Sequence, residues 1–296
     1  MPDSPKVAVL GLGAMGLPMA TRLASTLEVA AYDVVAERIE LAAGSGARPA
    51  SSAADACDAA SLVVIGVRNQ EQFDATVFGP QGAIESLAPG SVLILTSTVG
   101  TSTVVDAAER LREHGVDLLD APVSGGAVRA AAGDLLIMAG APDEVIERAR
   151  PVLDLLASTL YVVGPRPGDG QTMKTVNQLL CGIHTAAAAE ALALAQALGL
   201  DLERVIEVLS LGAAASFMLA DRGPRMIEQL RGEEPELRSR LDVIAKDMGI
   251  VHDLVRHAGT AAPVAAAAEQ VYLSLVARGL ATADDSIAVR ANAGQA

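Results

Sequence analysis

An apolar run, KVAVL at 6–10, leads directly into GLGAMG at 11–16, and this junction constrains the fold more than any other stretch. A helical run follows to about residue 24. A second apolar strand at 27–32 then ends in Asp33, 22 residues after Gly11. Strand, G-x-G-x-x-G, helix and second strand closing on an acid make up the dinucleotide-binding βαβ arrangement. Gly11 allows the tight turn, Gly13 lets the backbone approach a pyrophosphate, and Gly16 lets the helix pack closely on its strand. With Leu12, Ala14 and Met15 these residues form the expected cofactor loop, where helix N–H groups and the helix dipole favour an anion. Asp33 is expected to accept hydrogen bonds from the adenosine ribose and to repel a 2′-phosphate. Val34, Val35 and Ala36 follow it with no arginine, so NAD is expected ahead of NADP, with Arg38 the nearest cation that could alter that preference.

The alternation continues with apolar strands at 61–67, 91–95 and 116–119, helices at 70–77 and 102–113, and further strands at 135–138 and 160–163. Apolar strands alternating with helices imply a parallel sheet covered on both faces. The expected fold is therefore α/β: a Rossmann-type, doubly wound, mainly parallel sheet domain over 1–166. The cofactor should cross the carboxyl ends of the strands, over the loops at 67–69, 96–98 and 121–126. Thr96, Ser97 and Thr98 could touch it there or simply cap the next helix. After the Gly/Pro-rich segment 164–168 no strand pattern remains. Helices are expected at 202–211, 221–230, 238–258 and 264–279, giving an all-helical domain over 167–296 for substrate binding and oligomerisation. The tail 291–296 reads as loose.

A long helix from Gln171 to 198 joins the two domains. Met173, Val176, Leu180 and Ile183 form one apolar ridge along it, while Lys174, Asn177, Gln178 and Cys181 share another strip. Taken alone, Lys174 reads equally as a solvated surface residue. His184 lies two to three turns beyond it, too far for direct chemistry. Phe217 and Met218 read as core residues.

With 22 basic and 36 acidic residues the net charge is −14, which disfavours nucleic acid and anionic membranes. Cys57 and Cys181 have no CxxC or metal-like spacing and read as reduced thiols; no ligand cluster implies a metal. The apolar runs are interrupted well short of a membrane span, and the start lacks a secretory pattern. The expectation is a soluble cytoplasmic protein.

Three separated motifs, GLGAMGLPMA at 11–20, DAPVSGG at 120–126 and GDGQTMK-x-x-NQ at 168–178, together with LDVIAKDMGIVHDL at 241–254, resemble the β-hydroxyacid dehydrogenase family. That family includes 3-hydroxyisobutyrate dehydrogenase and tartronate semialdehyde reductase. The wording of 120–133 and 177–194 is most similar to its L-threonate branch. The resemblance implies oxidation of a small hydroxy acid by hydride transfer to NAD, in a homodimer or homotetramer. It implies Lys174 as general acid/base, Ser124, Gly125 and Gly126 as the carboxylate-binding loop, and Asn177 and Gln178 as substrate contacts. Val67, Asn69, Thr98 and Lys246 match cofactor positions. Two departures stand out: Val67-Arg68 replaces a frequent Leu-Pro before Asn69, and Gln178 replaces a frequent second Asn. For the implied chemistry the lysine pKa must fall from about 10.4 toward neutrality, by burial or a neighbouring cation such as Lys246. Imine reductases share the architecture but replace this lysine, and a non-catalytic NAD sensor would have no use for it.

Overall fold

The computed structural model describes residues 5–292, and the chain divides into two compact units, the first ending at Lys174 and the second beginning at Thr175.

The first unit runs β1 (Val7–Leu10), α1 (Gly16–Ala24), β2 (Val29–Tyr32), α2 (Ala36–Gly44), β3 (Arg48–Pro49), α3 (Ala53–Cys57) and β4 (Leu62–Ile65). It continues with α4 (Gln70–Phe78), β5 (Val92–Leu95), α5 (Thr101–Arg112), β6 (Asp117–Asp120), β7 (Val123–Ser124) and α6 (Gly126–Ala132). Then come β8 (Leu135–Gly140), α7 (Asp143–Leu156), β9 (Ala157–Gly164) and the start of α8 (Asp169–Ala197). The sheet order is β3-β2-β1-β4-β5-β6-β8-β7, with β9 paired to β8. Strands β1 to β6 run parallel; β8 is antiparallel to β6 and β7 and parallel to β9. This is the mainly parallel, doubly wound sheet that the alternating pattern predicts.

The continuous apolar strands follow from burial on both faces. Val7 and Val9 of β1, Leu62 and Val64 of β4, and Val92 and Ile94 of β5 pack under α1 and α7. Their neighbours Ala8, Leu10, Val63, Ile65, Leu93 and Leu95 pack on the opposite side with α3, α4 and α5. The pleat sends successive side chains to opposite layers, so in β1, β4 and β5 both sets of side chains are apolar.

The second unit contains the rest of α8, then α9 (Leu202–Ser210), α10 (Phe217–Leu230), α11 (Leu241–Ala258) and α12 (Pro263–Ala277). Its core is built from Ala186, Ala189 and Leu192 of α8 with Met226, Met248, Tyr272 and Leu275. Residues Asp285–Ala291 form a 3₁₀ turn held by Arg225 Nε to Asp284 Oδ1 at 3.0 Å and Arg222 Nη2 to Asp285 Oδ2 at 3.0 Å. Ala291 thus packs against the helical core and Asn292 ends the turn, contrary to the expected loose tail; the remainder of that expectation, 293–296, lies outside the described residues.

Several other expectations are revised. The sequence pattern assigns no element to α2, α3, α6 and α7; α7 contains Pro151, which ordinarily breaks a helix. Phe217 is 65% exposed and does not join the core, because it occupies the first turn of α10. Helix α8, at 29 residues, is long and apolar enough to cross a membrane, with a mean hydropathy of 1.3 over its most apolar stretch. The sequence expectation is corrected in that respect, since alanines keep the mean high across the polar interruptions. In this fold those alanines line the helical core.

Candidate active site

The glycine turn between β1 and α1 is built by steric necessity. Gly11 has φ +86°, and a Cβ there would lie 2.3 Å from the Gly66 carbonyl oxygen. A Cβ at Gly16 would lie 1.8 Å from the Gly11 oxygen, so the helix closes directly on the turn. At Gly13 an added Cβ meets nothing within 4 Å, which leaves that face of the turn open to a phosphate. Helix α1 begins at Gly16, two residues later than the pattern predicts. It has no side-chain cap and no acid in its first turn. Uncapped N–H groups at the positive end of a helix suit an anion, so the residues present fit the pyrophosphate of a dinucleotide.

Asp33 leaves the end of β2 and is buried. Its Oδ2 accepts from Leu12 N–H at 2.6 Å and its Oδ1 from Val35 N–H at 2.9 Å, which fixes the carboxylate beside the glycine turn. Arg38 Nη1 lies 3.3 Å from Oδ1 and 3.4 Å from Oδ2. The cation flagged by the sequence is therefore paired with the acid that the sequence expects to exclude a phosphate. Replacing Asp33 with Asn removes the negative charge and leaves Arg38 without its ion pair. The expected outcome is a fall of about 10- to 100-fold in the ratio of kcat/KM for NAD over NADP, the range set by charged hydrogen bonds. An unchanged ratio would show that Asp33 does not set the preference.

At the next strand ends, Thr96 Oγ1 donates to the Ile65 carbonyl at 2.8 Å, and Ser97 Oγ accepts from Val67 N–H at 2.7 Å. These hydroxyls tie β5 to the end of β4; neither caps α5, whose N-cap is Gly100 without a side-chain bond. Thr98, half-buried, follows them. Asn69 caps α4, its Oδ1 accepting from Gln72 N–H at 2.9 Å.

Ser124 ends β7, and Gly125 and Gly126 follow with φ of +142° and +74°. Only glycine adopts such backbone without strain, so DAPVSGG is a folding requirement as well as a candidate anion loop. Asp120 of the same motif is buried and reaches the start of α8: its Oδ2 accepts from Gly168 and Gln171 N–H at 2.9 and 2.8 Å, and its Oδ1 from Gln171 Nε2 at 2.9 Å. Burial pushes the Asp120 carboxyl up to about 6, against the opposing pull of those amides.

One turn further along α8, Lys174 is only 7% exposed. The bland reading of a solvated lysine does not hold. Met173, Val176 and Leu180 of the apolar ridge are instead 41%, 52% and 49% exposed. At the start of α8, then, Lys174 is buried and three ridge residues are exposed, whereas Asn177, Gln178 and Cys181 are half-buried and Ile183, the fourth ridge residue, packs against the helical core.

In the helical unit Asn177 Nδ2 donates to Gln178 Oε1 at 2.9 Å and to Cys181 Sγ at 3.4 Å. Gln178 Nε2 donates to Asp247 Oδ2 at 2.5 Å, and Lys246 Nζ lies 2.9 Å from Asp247 Oδ1. The buried Asp247 therefore contacts two of the expected contact residues, Gln178 and Lys246, and Asn177 joins them through Gln178. Sequence reasoning missed it, along with Asp120 and Gln171, although all three lie inside the quoted motifs. His184 is half-buried. Cys57 and Cys181 form no disulfide, and burial pushes the Cys57 thiol up to about 12. Among the described residues no group of three or more His, Cys, Asp or Glu is placed to hold a metal.

A doubly wound sheet, a glycine turn open at Gly13 and an acid at the second strand end define an NAD(P)-dependent oxidoreductase. The comparisons agree. Residues 6–164 match the family model described as the NAD binding domain of 6-phosphogluconate dehydrogenase. Residues 168–292 match that described as NAD-binding of NADP-dependent 3-hydroxyisobutyrate dehydrogenase. The chain belongs to the β-hydroxyacid dehydrogenase family. It is 36% identical to L-threonate dehydrogenase of Cupriavidus necator, over 97% of this chain and 96% of that one. It is 30% identical to NAD-dependent L-serine dehydrogenase of Pseudomonas aeruginosa, over 95% and 96%. The crystal structure of 3-hydroxyisobutyrate dehydrogenase from Salmonella typhimurium superposes with a TM-score of 0.89 at 33% identity, covering 96% of this chain and 99% of that one. The chain is thus a hydroxyacid dehydrogenase with an NAD-binding domain.

Proposed function

We propose that the substrate is L-threonate or a sugar acid like it, with Lys174 as general acid/base. The burial of Lys174 at the end of the nucleotide-binding unit carries this reading, and the 36% identity to an L-threonate dehydrogenase supports the substrate. Bound NAD supplies the acceptor for the hydride that leaves the alcohol carbon. As that hydride leaves, the neutral amine of Lys174 takes the hydroxyl proton at Nζ; in the reverse direction the ammonium returns it. Ser124 Oγ and the N–H groups of Gly125 and Gly126 hold the substrate carboxylate.

On the resemblance of the motifs, this reading gives Asn177 and Gln178 to the substrate, and Thr98 and Lys246 to the nicotinamide end of the cofactor. Leu12, Gly13, Ala14 and Met15 cradle the pyrophosphate, Asp33 binds the ribose, and Val67 and Asn69 flank the cofactor edge. Residues 1–166 serve as the NAD-binding domain and 167–296 as the substrate and oligomerisation domain. The exposed side chains of Met173, Val176 and Leu180, with Leu194, Val208 and Leu211, support a homodimer or homotetramer that covers apolar surface, which we place in the cytoplasm.

The test is cofactor reduction at mildly alkaline pH across L-threonate, D-threonate, 3-hydroxyisobutyrate, glycerate, serine and a non-acid alcohol, each with NAD and NADP. L-Threonate with NAD is expected to give the highest kcat/KM. A maximum at 3-hydroxyisobutyrate would move the chain to the specificity named for its Salmonella relative. Tight NAD binding with no turnover of any acid would favour a sensor.

A further inference from the structure

Three parts of the nucleotide-binding unit meet at one buried carboxylate–amide pair. Asp120 is the last residue of β6 and lies four residues before Ser124. Gln171 lies in the first turn of α8, three residues before Lys174. Asp120 accepts the three amide hydrogen bonds given above. Gln171 then spends its other capacity on the loop after β5: Nε2 donates to the Ser97 carbonyl at 2.9 Å, while Oε1 accepts from Val99 and Gly100 N–H at 3.0 and 3.2 Å. Both side chains are fully buried. Through these two residues the helix bearing Lys174 is joined to the loop bearing Thr98 and to the strand leading to Ser124.

The helix start is pressed against the sheet to make this possible. A Cβ at Gly170 would lie 2.5 Å from the Met138 carbonyl oxygen and 2.9 Å from that of Asp120. Gly168 has φ +100°, with the Thr101 methyl 3.1 Å from where its Cβ would be. Ordinary capping needs one exposed hydroxyl or carboxylate accepting one or two N–H groups. Here a carboxylate is buried among amide partners, an arrangement that costs stability compared with a solvated cap. The expense is intelligible if the pair holds geometry.

We propose that Asp120 and Gln171 are positioning residues that hold Lys174 in register with the Thr98 loop and the Ser124 loop. This rests on the reading of Lys174 as the group that takes the substrate proton. The pair fixes where Nζ can reach and does not itself touch substrate. Bond by bond, Asp120→Asn keeps an acceptor for Gly168 and Gln171 N–H but sets an amino group against Gln171 Nε2. Gln171→Glu sets a carboxylate against that of Asp120. The double variant restores a donor–acceptor contact between the two side chains and keeps the acceptor for Val99 and Gly100 N–H, but loses the bond to Ser97 and sets a carboxylate oxygen against the Ser97 carbonyl, so its rescue is partial.

The experiment measures kcat, KM for NAD and melting temperature in Asp120→Asn, Gln171→Glu, the double variant and Lys174→Ala. Each single variant is expected to lose about 100-fold in kcat, the scale of a 1 Å misplacement, with KM for NAD unchanged within about twofold. The double variant is expected to recover at least about tenfold over the product of the singles. Retained kcat in both single variants, with Lys174→Ala inactive, overturns the positioning role alone. Retained activity in Lys174→Ala overturns the reading beneath it. Should Asp120→Asn fail to fold, Gln171→Glu and Gln171→Met carry the same readouts. Loss of folded protein in all of them, or lowered melting temperature at parental kcat, assigns the pair to stability only and overturns the proposal.

Discussion

Lys174→Ala is expected to lower kcat by about three orders of magnitude while leaving NAD affinity unchanged. General acid/base groups contribute roughly 10²–10⁴-fold, and removing the amine leaves no side chain at that position to take the hydroxyl proton. The residue is buried at 7% exposure, so an alanine leaves a cavity that water can enter but cannot use with the same orientation. Binding of NAD, followed by nicotinamide fluorescence or calorimetry, depends on the glycine turn and Asp33 and should survive. Lys174→Arg retains charge but cannot deprotonate, and is expected to be as inactive as alanine in the oxidative direction. The contrast with Lys174→Ala separates proton transfer from simple electrostatic attraction to an acid. Activity within tenfold of the parent in both variants would remove Lys174 from the chemistry and leave the fold untouched.

Gly16→Ala is expected to abolish tight NAD binding and to destabilise the nucleotide-binding unit. The added Cβ would stand 1.8 Å from the Gly11 carbonyl oxygen and 2.8 Å from its carbonyl carbon. Both are backbone atoms, and Gly11 is itself held at φ +86° within 2.3 Å of where its own Cβ would strike Gly66. Neither side of the contact can yield without opening the turn. Overpacking of this kind costs about 3 kcal/mol, and the same strain borne by the binding loop corresponds to about 100-fold in the dissociation constant for NAD. Gly13→Ala is the control, because its Cβ meets no protein atom within 4 Å. It should leave the melting temperature near the parent value while weakening NAD, since the methyl occupies the face offered to phosphate. Equal effects of the two substitutions on the melting temperature would contradict this division of labour between the glycines.

Residues 6–33 were legible because every physical requirement there is local. Apolar runs buried on both faces mark strands, a glycine spacing marks the turn, and an acid at the second strand end marks the ribose side. The family resemblance extended that reading to Ser124, Lys174 and Asn177, each inside a contiguous motif. Asp120 and Gln171 were in those same motifs yet carried no signal of their own. Their function is a set of hydrogen bonds between residues about 50 to 70 positions apart, and sequence spacing is silent on such pairs. Asp247 escaped notice for the same reason: its partner Gln178 is 69 residues away.

Helix α8 shows the limit most clearly. Its periodicity specified a helix with an apolar ridge on one side and a polar strip on another, since 3.6 residues per turn fixes which side chains are neighbours. Periodicity alone does not say which side faces inward. The ordinary preference would bury Met173, Val176 and Leu180 and expose Lys174, and the folded chain does the reverse. At the helix start, Asp120, Gln171 and the glycines at 168 and 170 fasten the first turn against the strand ends, contacts that periodicity does not encode. The sequence by itself determined the fold class, the main strands and the long helix, the dinucleotide turn and the family, but not α2, α3, α6 or α7. Only the tertiary structure decided that Lys174 is buried, that Arg38 sits on Asp33, and that Asp120 and Gln171 bond to each other, because each depends on atoms brought together by chain folding.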